Sequence, residues 1–375
     1  MSGKLRVGVL FGGRSGEHEV SLMSARSVMS ALDRDKYDVV PIGITKEGRW
    51  LPPGDTTLLL QAGSAQAAPV AIVPDPQDRG LVTWQLGQAS ADSKLDVVIP
   101  ALHGPYGEDG TIQGLLELVG VAYVGAGVLG SALGMDKAVM KAVLRHHGIP
   151  TVDFLAFKRK ELDQDPTGVV GRVEDALGYP CFVKPANLGS SVGISKVHGR
   201  GEMDAALSLA ASYDRKIIVE RAAEDCREVE CAVLGNDEPV ASVPAEIVPC
   251  HEFYDYAAKY LDDASQVIIP ADLPLGIVQE VQRLAVAAFL ALDCAGMARV
   301  DFFVGRADGR VLVNEINTIP GFTRISAYPK MWGASGLTMT ALLDRLIELA
   351  LERHREKTRT RYSLQLPGAT SKPRK

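Results

Sequence analysis

The chain opens on a succession that leaves few folds available. An apolar run, Leu5 to Phe11, stops at Gly12-Gly13-Arg14-Ser15-Gly16; a helical pattern follows through Val20, Met23, Val28 and Leu32, and a second strand runs from Tyr37 to Thr45. Two strands joined through a helix lie parallel, because only a long crossover returns the chain to the same end of a sheet. A third strand, Leu95 to Leu102, stops at His103-Gly104, and Gly148 followed by Pro150 ends a helix that begins near Leu129. The fold class is therefore α/β, built on an N-terminal parallel sheet.

The pattern then changes. Short strands at Cys181 to Lys184, Gly193 to Val197, Lys216 to Glu220 and Glu228 to Leu234 surround a helix near residues 202 to 211, which indicates a small α+β unit. Gly276 to Leu292 reads as a helix, Met297 to Val304 and Val311 to Asn317 as strands, and a final helix is expected near 337 to 354. At roughly 150 residues per domain, 375 residues suit two or three domains. Residues 51 to 93, rich in Ala, Gly, Pro and Gln, read as a peripheral insertion.

A hydrophobic share of 46% with 23% charged residues supplies real cores and excludes a disordered or fibrous protein. A net charge of −6 steers the chain toward neither nucleic acid nor an anionic membrane, so neither is expected as a partner. The charge is uneven: residues 355–375 carry +6, which leaves −12 for the body. That tail has no hydrophobic periodicity and is expected to be mobile. Five cysteines, Cys181, Cys226, Cys231, Cys250 and Cys294, include no CxxC and suit small core residues in a reducing compartment. No apolar run approaches the ~18 residues of a membrane span, and the N-terminus lacks a signal-peptide stretch. A cytoplasmic location is expected.

The first glycine turn suits an anion at a helix N-terminus or, equally, a plain tight β-to-α turn. A dinucleotide site would need GxGxxG and an acid ending the second strand; here the spacing is GGxxG, with Ile44-Thr45 in the acid's place. The hairpin near the C-terminus is more informative. Alternation puts Arg299 and Asp301 on one face of the first strand, and Glu315 and Asn317 on one face of the second. A three-residue loop, Ala307-Asp308-Gly309, places Asp301 opposite Glu315 and Arg299 opposite Asn317. Facing carboxylates repel unless a cation lies between them, and two carboxylates with an amide oxygen suit Mg²⁺. The competing reading is a solvated polar face balanced by Arg299. Lys184, ending an apolar strand, and Lys137, after Met135-Asp136, are phosphate-binding candidates or solvated lysines. Gly189-Ser-Ser-Val-Gly193 suits a phosphate-covering loop or a hairpin turn. Phe253-Tyr-Asp-Tyr-Ala-Ala-Lys259-Tyr260, aromatic yet polar, suits a lid or a surface loop.

Taken together, the motifs resemble the D-alanine–D-alanine ligases of the ATP-grasp superfamily, over residues 4 to 350. In family order they are Phe11-Gly-Gly-Arg-Ser-Gly-Glu-His-Glu-Val-Ser21, Ala101-Leu-His-Gly104 with Gly107-Glu-Asp-Gly110, Met135-Asp-Lys137, Val183-Lys-Pro185 with Gly189-Ser-Ser-Val-Gly193, Phe253-Tyr-Asp-Tyr256 with Lys259-Tyr260, Arg299-Val-Asp301, and Asn314-Glu-Ile-Asn-Thr-Ile-Pro-Gly-Phe-Thr323. The resemblance implies a three-domain ATP-grasp fold divided near 1–125, 126–235 and 236–354, with residues 355–375 as a basic tail. It implies ATP contacts from Lys137, Lys184, Ser191, Glu220, Glu228 and Lys259, and two Mg²⁺ (or Mn²⁺) held by Asp301, Glu315 and Asn317. The stretch Glu220 to Glu228 is one residue longer than the common pattern. Glu17 would hold the first D-alanine's ammonium with His103 nearby, in a triad with Ser190 and Tyr260. Arg299 and the Gly321 N–H would form the oxyanion hole, and Ser326 would bind the second substrate's carboxylate.

The implied reaction joins two D-alanines through a D-alanyl phosphate for peptidoglycan precursor synthesis, in a homodimer. Three other readings stand beside it: a ligase making D-alanyl–D-lactate or D-alanyl–D-serine, a non-catalytic ATP-binding module, and an NAD-linked oxidoreductase. Tyr260 in its Ala-Lys context matches the dipeptide-forming type, Glu17 and Arg299 are superfluous for nucleotide binding alone, and the oxidoreductase rests only on the first glycine turn.

Overall fold

A computed structural model describes residues 3–51, 56, 70–72, 80–85, 88–189, 191–248 and 266–361. The first unit contains β1 (Leu5–Gly12), α1 (His18–Ala31), β2 (Tyr37–Ile44), β3 (Trp50–Leu51), β4 (Val70–Ile72), β5 (Gly80–Gln85), β6 (Gln88–Lys94), β7 (Val97–Ala101), α2 (Thr111–Val119) and β8 (Ala122–Tyr123). Then come α3 (Val128–Met135), α4 (Lys137–His146), β9 (Phe154–Lys158), α5 (Arg159–Gln164), α6 (Pro166–Ala176), β10 (Cys181–Pro185), β11 (Ser195–Val197), α7 (Arg200–Tyr213) and β12 (Lys216–Arg221). The last group is β13 (Cys226–Gly235), β14 (Val240–Ala241), β15 (Ala245–Val248), β16 (Gln266–Ile268), α8 (Leu275–Ala291), β17 (Gly296–Gly305), β18 (Val311–Asn317), α9 (Ala327–Ala334) and α10 (Met339–Thr358).

The N-terminal sheet has the order β3-β2-β1-β7-β8, and β1 pairs in parallel with both β2 and β7. Covered on both faces, β1 is apolar almost throughout, as a central parallel strand must be. Its glycine turn is a matter of close approach. The Gly13 N–H donates to Ile44 O at 2.8 Å, and a Cβ on Gly12 (φ 90°) would stand 2.1 Å from that same oxygen. Residues 51–93, expected to be irregular, include the antiparallel three-stranded sheet β4-β5-β6.

The second sheet has the order β11-β10-β12-β9, and the third β16-β15-β13-β17-β18. The expected boundary at 235 moves, because β13 pairs with β17 along its whole length. The two sheets therefore part between Arg221 and Cys226. The helix expected from Leu129 to Gly148 is two helices broken at Asp136, whose side chain caps α4 by accepting from the Val139 N–H at 3.1 Å. The final helix passes the expected end at 354 and reaches Thr358; its buried leucines share one core with the N-terminal sheet (Val7, Val9, Ile99) and with the third sheet (Ala232, Leu234, Met297). Arg355–Thr358 are thus helical, and 362–375 lie outside the described residues.

The hairpin β17–β18 has the expected pairs, Asp301 with Glu315 and Arg299 with Asn317, but by another route. Gly305 N–H donates to Arg310 O at 2.9 Å, so the loop spans four residues, 306–309, instead of three. Phe302 pairs with Val313, and a bulge at Asn314 shifts the register back before Asp301. Alternation along β17 buries Val300, Phe302 and Val304 against α4 and α8 and turns Arg299, Asp301 and Phe303 the other way.

Gly12→Ala forces a left-handed backbone on a residue with a Cβ and drives it into Ile44 O. It is expected to lower unfolding free energy by about 3 kcal/mol or more, read by chemical denaturation.

Candidate active site

A cleft of about 410 Å³ opens between the second and third sheets, lined by Lys137, Lys184, Ser191 and Glu220 on one side and by Glu228, Glu230, Asp301 and Glu315 on the other. Every cationic group in it is already matched. Lys184 Nζ lies 2.6 Å from Glu220 Oε2, and Lys141 Nζ 3.2 Å from Glu220 Oε1. Burial opposes ionisation of Glu220, yet the two lysines outweigh it and hold its pKa down to about 2. Lys137 donates to Leu188 O at 2.9 Å and stands 3.2 Å from Glu315 Oε2. Burial works against its charge too, but Glu315 raises its pKa.

Beside the cleft Arg299 grips the lining residue Asp301 with both arms, Nε to Oδ1 and Nη2 to Oδ2, each at 2.7 Å. Its Nε also lies 3.4 Å from Glu230 Oε2, the residue paired with Asp301 across β13 and β17. Despite burial, these carboxylates raise the Arg299 pKa well above its ordinary value, so the guanidinium stays charged. Among the described residues no group of three or more His, Cys, Asp and Glu forms a metal cluster. The available donors are Asp301, Glu315 and the amide of Asn317, whose Oδ1 accepts from Ile319 N–H at 3.0 Å. Facing carboxylates beside an amide, at the edge of a lysine-lined cleft, fit a hard cation that completes its shell with water and phosphate.

The N-terminal unit closes one end. A Cβ on Gly104 (φ 75°) would stand 2.9 Å from Glu17 Oε2, and one on Gly189 3.1 Å from the same oxygen. Glu17 thus lies between the His103-Gly104 turn and the glycine loop of the second sheet. His103 Nδ1 lies 3.1 Å from Ile319 O and its Nε2 3.0 Å from Ser24 Oγ. Glu108 accepts from Gly104 N–H at 2.6 Å and from the Ile319 main chain. Burial first, and the nearby Glu17 charge second, push its pKa up to about 8.

The expected site residues Lys137, Lys184, Ser191, Glu220, Glu228, Asp301 and Glu315 line one cleft. Ser326 stands at the N-terminus of α9, where its Oγ accepts from Thr323 N–H at 3.0 Å and would meet a Cβ on Gly321 at 2.7 Å. Ser190, Lys259, Tyr260 and the whole lid lie outside the described residues. The Glu220 carboxylate, expected to contact ATP, pairs with two lysines. Three residues in the site had no place in the sequence reading, Ser24, Lys141 and Glu230, and Glu108 stood only inside the Gly107–Gly110 motif, with no role. Lys141 carried a signal, one helical turn beyond Lys137 on the stripe that buries Met140 and Leu144.

Sheet order and this cleft define an ATP-grasp protein with an N-terminal parallel-sheet domain. The family description "D-ala D-ala ligase N-terminus" matches residues 6–126, and "D-ala D-ala ligase C-terminus" matches residues 143–348. The D-alanine–D-alanine ligase of Thermoanaerobacter sp. (strain X514) is 53% identical over 360 residues, 95% of this chain and 99% of that protein. The solved D-alanine–D-alanine ligase from Coxiella burnetii is 41% identical, with a TM-score of 0.82 over 95% of this chain and 96% of its own. The VanG D-Ala:D-Ser ligase from Enterococcus faecalis is 38% identical, with a TM-score of 0.82 over 93% of this chain and 100% of its own. The chain belongs to the D-alanine–D-alanine ligase family.

Two outcomes follow from the buried charges. Lys141→Met leaves Glu220 and the Asn314 carbonyl facing an apolar chain and is expected to cost about 3–5 kcal/mol in a denaturation curve. Glu108 keeps its proton in the folded state well above the pH at which the unfolded chain loses it. Its contribution is therefore full below its ordinary range near 4.5 and is lost as pH rises toward 8. Relative to Glu108→Gln, the wild type should lose stability between pH 5 and 8, measured by melting at each pH.

Proposed function

We propose that this chain is an ATP-dependent D-alanine–D-alanine ligase that joins two D-alanines through a D-alanyl phosphate for peptidoglycan precursor synthesis. The observation that carries the reading is one cleft with Lys137 and Lys184 on one wall and Asp301 and Glu315 on the other, Arg299 gripping Asp301 and Glu17 standing beside Gly189 at the cleft's edge. Relatives of that name at about 50% identity, matched over nearly their whole length, support it.

In this reading Lys137 and Lys184 hold the ATP phosphates, and Lys259 and Ser191 join them. Glu220 acts by fixing Lys184, its carboxylate already taken, while Glu228 faces the nucleotide from the third sheet. Asp301, Glu315 and Asn317 would hold two Mg²⁺ or Mn²⁺, which when bound offset the charge of the transferring phosphoryl group. Glu17 receives the first D-alanine's ammonium beside His103, in a triad with Ser190 and Tyr260. The carboxylate of that first D-alanine attacks the γ-phosphate; ADP leaves and a D-alanyl phosphate remains. The second D-alanine, held through its carboxylate by Ser326, attacks the acyl carbon with its amine, and phosphate departs. Arg299 and the Gly321 N–H stabilise the oxyanion formed in that step. Positioning and charge neutralisation do most of the work, so the lysines and the metal ions matter more than any general base. The enzyme acts in the cytoplasm as a homodimer.

A second reading, ligation of D-alanine to D-serine or D-lactate, is favoured by the likeness to the D-Ala:D-Ser ligase. Incubation with ATP, Mg²⁺ and D-alanine in competition with D-serine or D-lactate across pH 6 to 9 separates the two. D-alanyl–D-alanine is the expected main product, and preferential incorporation of the competitor would reverse the assignment. Glu315→Gln should abolish turnover with the melting temperature largely kept; near-normal Mg²⁺-dependent activity would remove Glu315 from the site.

A further inference from the structure

Gly321 has no side chain by which its N–H could be steered, and the steering comes from its two flanks. On one side the Ile319 carbonyl meets His103 Nδ1 at 3.1 Å; on the other the Phe322 N–H meets Ser24 Oγ at 3.3 Å. Pro320 between them has a fixed φ and no N–H of its own. The two anchors are themselves joined, since Ser24 Oγ and His103 Nε2 lie 3.0 Å apart. Ser24, His103 and Phe322 are all buried, so water does not compete for these bonds.

The direction of each bond follows from the groups. A carbonyl only accepts, so His103 carries its proton on Nδ1. Burial disfavours the charged ring, which leaves Nε2 of the neutral form as an acceptor. The Ser24 hydroxyl must then donate to Nε2, and its lone pair remains for Phe322 N–H. One hydroxyl on α1 thereby fixes the histidine tautomer and the main chain on both sides of Gly321.

We propose that Ser24 is a positioning residue for the condensation step, its hydroxyl holding the Gly321 N–H on the tetrahedral oxyanion by way of His103 and Phe322. This rests on the ligase reading above. Ser24 does not line the nucleotide cleft, so its loss should spare ATP binding and phosphoryl transfer while slowing attack of the second amine on the acyl carbon. The acyl phosphate then persists long enough for water to take the amine's place at that carbon, returning D-alanine and releasing phosphate.

The test is the ratio of phosphate released to D-alanyl–D-alanine formed, measured with kcat and KM for ATP. The wild type should give about one phosphate per dipeptide. Ser24→Ala should lower kcat about 10- to 100-fold, below the cost of deleting an oxyanion donor outright, with KM for ATP within about twofold and a ratio clearly above one. Ser24→Thr, which keeps the hydroxyl, should bring the ratio back toward one. Wild-type kcat and ratio in folded Ser24→Ala would overturn the proposal, as would a parallel loss of ATP affinity. Should Ser24→Ala melt below assay temperature, Ser24→Cys, close in volume with a weaker hydrogen bond, decides by the same readouts. A wild type that forms no dipeptide would overturn the ligase reading and this proposal with it, an outcome distinct from a coupled wild type beside an unaffected variant.

Discussion

Lys141 has no exposed surface, and a buried ammonium persists only where acceptors meet it. It has an ion-pair partner, Glu220 Oε1 at 3.2 Å, and one acceptor, the Asn314 main-chain oxygen at 2.7 Å. The first belongs to the second sheet and the second to the bulge in the third. Without that bulge the pairing that holds from Phe302 to Val304 would continue, and Asp301 would face Asn314 rather than Glu315. One buried lysine therefore joins the two walls of the cleft and stands on the irregularity that makes the carboxylates face each other.

The remaining charges follow from the same rule that buried ions are paired. Lys184, Glu220 and Lys141 alternate in sign, Lys137 faces Glu315, and Arg299 lies between Asp301 and Glu230. Such pairs contribute little net stability once their desolvation is counted. They do preorganise: each lysine is held in place by its carboxylate, so little side-chain entropy would be lost were an anion to bind in the cleft. The acidic body of the chain is thus partly a counter-charge for its own buried cations.

Much of this was legible in the sequence because strand alternation and glycine turns are local. The opening strand–helix–strand, the lysines at 137 and 184, and the shared faces of Arg299–Asp301 and Glu315–Asn317 all follow from neighbours in the chain. The hairpin pairing was reached by a wrong turn: the three-residue loop is in fact four, and the bulge at Asn314 cancels the difference. Partners distant in sequence were beyond reach. Glu230 faces Asp301 only because β13 inserts beside β17, and no local signal announces that. The same applies to α10, an amphipathic helix whose apolar face says nothing of which sheet it covers; it lies in one core with both the N-terminal and the third sheet. Ser24 was unremarkable among similar residues, and Glu108 a motif residue without a role, until their partners, His103, Phe322 and Gly104, came into view.

In the proposed reaction a carboxylate of D-alanine attacks the γ-phosphate of ATP before any peptide bond forms. Oxygen labelling tests it most directly. With D-alanine carrying ¹⁸O in its carboxylate, the account requires one labelled oxygen in each inorganic phosphate released alongside dipeptide, read by mass spectrometry or the ³¹P isotope shift. Phosphate free of label, or label recovered in AMP, would contradict it.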